Sequence, residues 1–204
     1  MDAAGAAPTV VVHPAVGRFE DVATVLGVRP GGGGCWCMSY RDARLSNEER
    51  PAALRDLCQR EPGPGVVAYV DGAAAGWCSI APRSSYRRLL RSRTIPVLDE
   101  RDAWVAVCFV VRAGYRRRGL MHTLLDGAVA HAAAHGAEVV EGYPVDVGDG
   151  TRVHPVAGYV GTTELFAAHG FERVAETAAH SDGRLRWVMR RELDPLAEVS
   201  PGGR

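Results

Sequence analysis

Apolar and polar positions along this chain follow two rhythms, and each change of rhythm marks a new element. Val10–His13 is a short strand-like run, and Phe19–Leu26 has helical spacing. After a glycine tract, Gly31–Gly34, the segment Cys35–Arg41 fits either a strand or a loop. Ser46, followed by Glu48 and Glu49, reads as a helix start, with Pro51 tolerated in the first turn and the helix running to about Arg60. Val66–Val70 and Ala74–Ile80 flank Asp71-Gly72, a strong hairpin signal. Arg83–Arg93 is basic, with Tyr86, Leu89 and Leu90 as the apolar face of a short helix.

The centre of the chain is the most informative. Trp104–Val111 (WVAVCFVV) is apolar without alternation, as expected of a strand covered on both faces. A turn, Arg112–Arg118, leads into a run in which Leu120, Met121, Leu124, Leu125, Ala128, Val129, Ala132 and Ala133 make one helix face apolar. Gly136 is placed to end that helix, and Ala137–Val145 reads as a second strand. A strand–helix–strand unit predicts two parallel strands joined by a right-handed crossover. Asp146–Gly158 is a polar loop, and Thr162–His169 is a short helix ending at Gly170. Phe171–Ala175 and Leu185–Arg191 are two closing strands, and Pro195–Arg204 has the composition of a tail. With no internal repeat and no linker, residues 1–204 read as one α/β domain, its core at about 10–193 and its tail at 194–204.

Composition narrows the chemistry. All 24 basic side chains are arginine and are balanced by 24 acids, so the net charge is zero. Neutrality argues against a dedicated nucleic-acid binder. The absence of lysine excludes a P-loop lysine, a Schiff base and a lysine general base. No apolar run approaches the ~20 residues of a membrane span, and Met1–Thr9 lacks the features of a secretory signal. Five cysteines, Cys35, Cys37, Cys58, Cys78 and Cys108, are an odd number, which fits a reduced, cytoplasmic protein better than a disulfide framework. Cys35-Trp36-Cys37 invites a metal or redox reading, but no second cysteine pair of the spacing zinc favours is present. No metal is expected. The abundance of Ala, Val, Gly and Arg reflects a GC-rich, bacterial coding bias.

Gly114–Met121 (GYRRRGLM) lies where a buried strand hands over to a helix. Helix N-termini present unpaired N–H groups and a positive dipole end to anions. Arg116, Arg117 and Arg118 add charge, and Gly119 lets the backbone approach a phosphate closely. The segment matches neither the Walker pattern nor the three-glycine dinucleotide fingerprint. A solvated basic turn is the plain alternative.

This segment resembles the signature of the GNAT superfamily of acyl-CoA-dependent N-acyltransferases, Arg/Gln-x-x-Gly-x-Gly/Ala after a central strand. Arg116 and Gly119 match, and Met121 departs from the small last residue. Glu164–Phe171 (ELFAAHGF) resembles the family's closing helix, and the order of elements corresponds from about Val10 to Leu193. CFVV at Cys108–Val111 and EGYPVD at Glu141–Asp146 resemble a bacterial subset.

The resemblance implies a mixed sheet opened between the Trp104–Val111 and Val139–Val145 strands and flanked by helices. The pantetheine arm of acetyl-CoA, the co-substrate, would bond backbone groups of Phe109, Val110 and Val111. Its pyrophosphate would rest on the Arg116–His122 segment, including Arg117, Arg118, Gly119, Leu120 and Met121. An acceptor, either a small-molecule or a protein amine, would enter from the other side and attack directly in a ternary complex. A homodimer is open to such a chain. Glu141, in an apolar strand beside the opening, is the first candidate base, because burial would raise its pKa into a useful range. Its alternative is a structural carboxylate paired with arginine.

The family's tyrosine acid falls on Phe166, so that role does not carry over, and Tyr143 and Tyr159 are the substitutes. Cys108 as an acyl carrier reads better as an inert core thiol. His131 and His135 are expected on a solvated helix face, and His154, in the Asp146–Gly158 loop toward which the acceptor would enter, is an outside candidate for proton transfer. Arg83, Arg87, Arg88, Arg91 and Arg93 could meet an acidic acceptor, with a mixed, solvated surface as the default. A non-catalytic acyl-CoA-binding domain, motivated by Met121 and Phe166, and a Cys35/Cys37 module are the rival readings.

Overall fold

A computed structural model describes residues 7–27, 35–148 and 157–193. The Gly31–Gly34 tract, most of the 146–158 loop with His154, and the 195–204 tail lie outside the described residues. Strands β1 (Val10–Pro14), β2 (Gly65–Val70), β3 (Ala73–Pro82), β4 (Trp104–Val111), β5 (Val139–Gly142), β6 (Glu172–Ser181) and β7 (Arg184–Glu192) form one sheet in the order β1-β2-β3-β4-β5-β7-β6. Every neighbouring pair is antiparallel except β4 and β5. Helices α1 (Phe19–Leu26), α2 (Arg50–Cys58), α3 (Arg87–Leu90), α4 (Leu120–Ala134) and α5 (Thr163–Ala167) complete the described elements.

The strand–helix–strand unit organises the molecule. In α4, Leu120, Leu124, Leu125, Ala128, Val129 and Ala132 turn inward against Val66, Ala68, Trp104, Ala106 and Phe109. Each buried leucine there stabilises the fold by about 2 kcal/mol. The helix ends as Gly136 and Ala137 donate backwards to Ala133 and Ala132, 3.0 and 3.1 Å, with Gly136 left-handed. On the opposite face, α1, α2 and the 36–38 turn cover β2 and β3 through Val22, Leu54, Met38 and Trp77. Further along that face, Tyr86, Leu89 and Ile95 cover Val105, Val107, Tyr143 and Val188. No described helix is long and apolar enough to cross a membrane.

Several boundaries differ from the pattern's prediction, each for a local reason. Ser46 and Glu49 exchange capping-box bonds of 2.8 and 3.3 Å, but that turn precedes the helix, which begins at Arg50. Cys35–Arg41 is a series of turns, the loop of the two alternatives. Arg83–Arg93 divides into a 3-10 turn, Arg83–Ser85, and the short α3, with Leu90 left 55% exposed instead of completing an apolar face. β5 stops at Gly142, two residues before Pro144, which has no N–H to donate. β6 and β7 run longer than predicted because Asp182-Gly183, both left-handed, joins them as a tight hairpin. His131 is a correction: it is buried, edge-on to Trp104 at 5.6 Å, because the apolar face of α4 is wider than its spacing suggests.

Candidate active site

β4 and β5 are paired only through Trp104↔Val140, Val105↔Glu141 and Ala106↔Gly142. Beyond Ala106 the strands part. β4 continues to Val111 against β3, while its other edge has no strand beside it among the described residues. The 3-10 turn Ala157–Val160 lies along that edge. On the β3 side, Ser79 pairs with Cys108 and Ile80 with Ala106, so Val107 is an extra residue without an opposite number. This bulge bends β4 where the strands part. The backbones of Phe109, Val110 and Val111 thus lie on the part of β4 beyond its pairing with β5.

At the end of β4 the chain makes a 3-10 turn, Ala113–Tyr115, and Arg116 Nε donates to the Val111 carbonyl at 3.1 Å. Arg117 has a left-handed φ of 62°, unusual for a residue with a Cβ. Gly119, at φ 73° and ψ 4°, is the N-cap of α4 and offers no side-chain cap; His122 N–H donates to the Gly119 carbonyl at 2.9 Å, while the N–H groups of Leu120 and Met121 have no partner among the described residues. Arg117, Arg118 and His122 are exposed, Leu120 is buried, and Met121 leans on the core beneath. The two exposed arginines have no side-chain partner among the described residues. The His122 and His169 rings share a 2.9 Å bond, and His169 Nδ1 lies 2.5 Å from Asp126 Oδ1. With Asp126 accepting, neutral His169 must accept in turn from His122 Nδ1, which ties the first turn of α4 to the end of α5.

Glu141, 2% exposed, projects to the face away from α4. Arg190 Nη2 and Nε donate to its Oε1 at 2.6 and 3.1 Å, while Oε2 takes the Tyr143 hydroxyl at 2.8 Å and Arg83 Nη1 at 3.5 Å. Arg83 also donates to the Tyr143 hydroxyl, and Arg190 Nη1 reaches Asp99 at 2.5 Å. Burial, reinforced by the Glu141 charge, pushes the Tyr143 hydroxyl well above its ordinary pKa. Tyr159, 39% exposed on the Ala157–Val160 turn, stands apart from this cluster. Phe166 is fully buried, edge-on to Phe109 and Phe171, and its ring edge occupies the space a Cβ on Gly142 would need.

The cysteines fall out differently from their spacing. Cys35 is exposed and Cys37 is buried, with Trp77 Nε1 donating to the Cys37 sulfur at 2.7 Å. Burial raises the Cys37 pKa, but hydrogen bonds from Cys108 and Trp77 and the charge of Arg41 outweigh it and hold the thiol below its ordinary value. Cys108, the donor of that pair, is pushed well above its ordinary value by the bond to Cys37 and by burial, which makes it a poor nucleophile. Among the described residues, no three His, Cys, Asp or Glu side chains are grouped to hold a metal ion.

Sequence reasoning singled out Glu141 and Tyr143 but missed Arg190, and it placed Arg83 among the surface arginines. These partners come from 49 and 58 residues away, beyond any local pattern. The Cys37–Cys108 contact and the His122–His169–Asp126 chain are likewise long-range.

A parallel strand pair that parts at a bulge, followed by an arginine-flanked helix start without a side-chain cap, defines the candidate site. The model of the acetyltransferase (GNAT) family matches residues 36–150, and the chain belongs to that family, whose members use acetyl-CoA. Among solved structures, the fold is similar to a ribosomal-protein-alanine N-acetyltransferase from Brucella melitensis (17% identity, TM-score 0.55, covering 90% of this chain and 99% of that one). It is similar to yncA from Salmonella typhimurium, solved with its cofactor acetyl-CoA (15% identity, TM-score 0.54, covering 91% and 94%). It is also similar to a GNAT acetyltransferase from Streptococcus pneumoniae (17% identity, TM-score 0.52, covering 91% and 100%). No curated protein sequence matches the chain.

Proposed function

We propose that this protein is an acetyl-CoA-dependent N-acetyltransferase that moves the acetyl group directly to an amine in a ternary complex. The observation that carries the reading is the edge of β4 with no strand beside it among the described residues, joined by one turn to a start of α4 that has no side-chain cap. The pantetheine arm would lie along Phe109, Val110 and Val111 and bond their backbone like an added strand. The pyrophosphate would take the N–H groups from Arg117 to Met121, beside His122, whose own N–H is held by Gly119, with Arg116, Arg117 and Arg118 supplying charge.

The amine attacks the thioester carbonyl from the face of the sheet away from α4. The C–S bond breaks, the coenzyme A thiolate takes up a proton, and the new ammonium centre loses one. Holding both substrates in place supplies much of the acceleration. We assign Glu141 to order rather than to proton abstraction, because both its oxygens already accept from cations or from Tyr143. Tyr143 spends its proton on Glu141, so Tyr159, on the turn beside β4, is the tyrosine to test as the thiolate's proton donor.

Acetyl-CoA is expected to raise the melting temperature, and Gly119→Glu, which sets a carboxylate at the pyrophosphate position, to abolish the rise. An amine panel read by free-thiol release then separates an enzyme from a non-catalytic binder. No thermal shift at saturating acetyl-CoA would sink both.

A further inference from the structure

A cavity of about 550 Å³ opens not in the strand splay but between the 41–44 turn and α3. Arg41, Arg44, Arg87, Arg88 and Arg91 line it around a single carboxylate, Asp42. Asp42 is already engaged by Arg44, at 3.1 and 3.2 Å, and by Arg87 at 3.6 Å. The other three guanidiniums have no ion pair among the described residues. Arg41, 8% exposed, is fixed by the Pro64 carbonyl at 3.2 Å, the Tyr86 hydroxyl at 3.4 Å and the Tyr86 ring at 4.5 Å. Arg88 stands over the Tyr40 ring at 5.9 Å, and Arg91 is exposed. Five arginines against one carboxylate leave the lining of this concavity net positive.

Its position ties it to the reaction. Tyr40, next to Arg41, packs into the same cluster as Val107 and Cys108 at the β4 bulge. Its carbonyl accepts the Arg88 N–H at 3.1 Å, and its hydroxyl accepts from Arg186 Nη1 at 3.0 Å. Arg186 in turn bonds the Tyr143 carbonyl at 2.7 Å. Tyr40 thus links the basic cavity, through its neighbour Arg41 and through Arg88, to the cluster on the face of β4 away from α4.

We propose that this cavity binds the anionic end of the acceptor, which is an amine carrying a carboxylate or a phosphate. This rests on the N-acetyltransferase reading and gives that reaction its substrate class. The volume is that of a small-molecule site, and forked guanidiniums match either oxyanion. The amine end then reaches past Tyr40 toward the thioester.

Matched acceptor pairs test it: an amino acid against its methyl ester, and phosphoethanolamine against ethanolamine, each followed by thiol release. The charged member of at least one pair is expected to be preferred, and which pair responds tells carboxylate from phosphate. Arg88→Ala with Arg91→Ala, both exposed positions, is expected to raise KM for that acceptor by about tenfold or more while leaving acetyl-CoA affinity alone. Equal use of charged and neutral partners, or equal effects of the double variant on both, overturns the proposal. Should no amine release thiol, the transferase reading fails, and the cavity is read separately by titrating inorganic phosphate under saturating acetyl-CoA. A rise in melting temperature present in the parent and lost in the double variant then supports an anion site, and no difference between them overturns it.

Discussion

Glu141 shows what a single residue's surroundings decide. A carboxylate in an apolar strand stands out in sequence, but its chemistry depends on what faces it. Buried Arg83, half-buried Arg190 and a tyrosine hydroxyl hold it in place, and removing one partner of such a cluster leaves the others charged and unsatisfied. Glu141→Gln is therefore expected to lose about 3–5 kcal/mol of stability in urea denaturation, while thiol release per folded molecule is retained. A variant that stays stable but loses turnover would restore Glu141 as the base. The position was legible because a charge interrupts an apolar run. Its partners were not, since they sit on other strands and loops and leave no periodic trace. Phe166 is similar: its departure from the family's tyrosine is visible in sequence. That its ring fills the gap left by the missing side chain of Gly142 emerges only from packing.

Among the elements, α4 was the clearest from sequence. Its start, its end at Gly136 and its inward leucines all follow from apolar spacing and one glycine. The strand pair around it was also legible, because unbroken apolar runs mark strands covered on both faces. Spacing failed at the edges of the helix face. His131 looks polar on a helical wheel, yet Trp104 extends the apolar surface to cover it, and its Nε2 has no partner among the described residues. Burial, helped by nearby His135, lowers the His131 pKa below its ordinary 6.5. The sign follows directly. Above pH 6.5 both folded and unfolded forms are neutral, but as pH falls the unfolded chain takes up a proton that the folded one resists. Stability is thus lost as pH drops below about 6.5 toward the depressed folded value. His131→Leu is expected to lose less melting temperature than the parent between pH 7.5 and 5.5. Parallel slopes for the two proteins would show that His131 carries none of this acid sensitivity.

At the scale of the whole molecule, zero net charge conceals an uneven distribution. Arginines gather at the Arg116–Arg118 turn and around the Arg41 cavity, while several acids are consumed in ion pairs such as Asp99 with Arg101 and Arg190. The lysine-free composition makes the protein its own control. Incubated with acetyl-CoA and no acceptor, it is expected to gain no more than a single acetyl group by intact mass, at its α-amino end. A thioester adduct mapped to Cys108 would overturn direct attack. The extra residue at Val107 has a practical consequence for anyone engineering either face of the sheet. Before it, even-numbered β4 residues, Trp104 and Ala106, lie under α4; after it the parity reverses, and Phe109 and Val111 take that side. A designer counting in twos from Trp104 would aim a substitution at Val110 into the α4 core and reach the opposite layer of Val22, Leu54 and Trp77 instead.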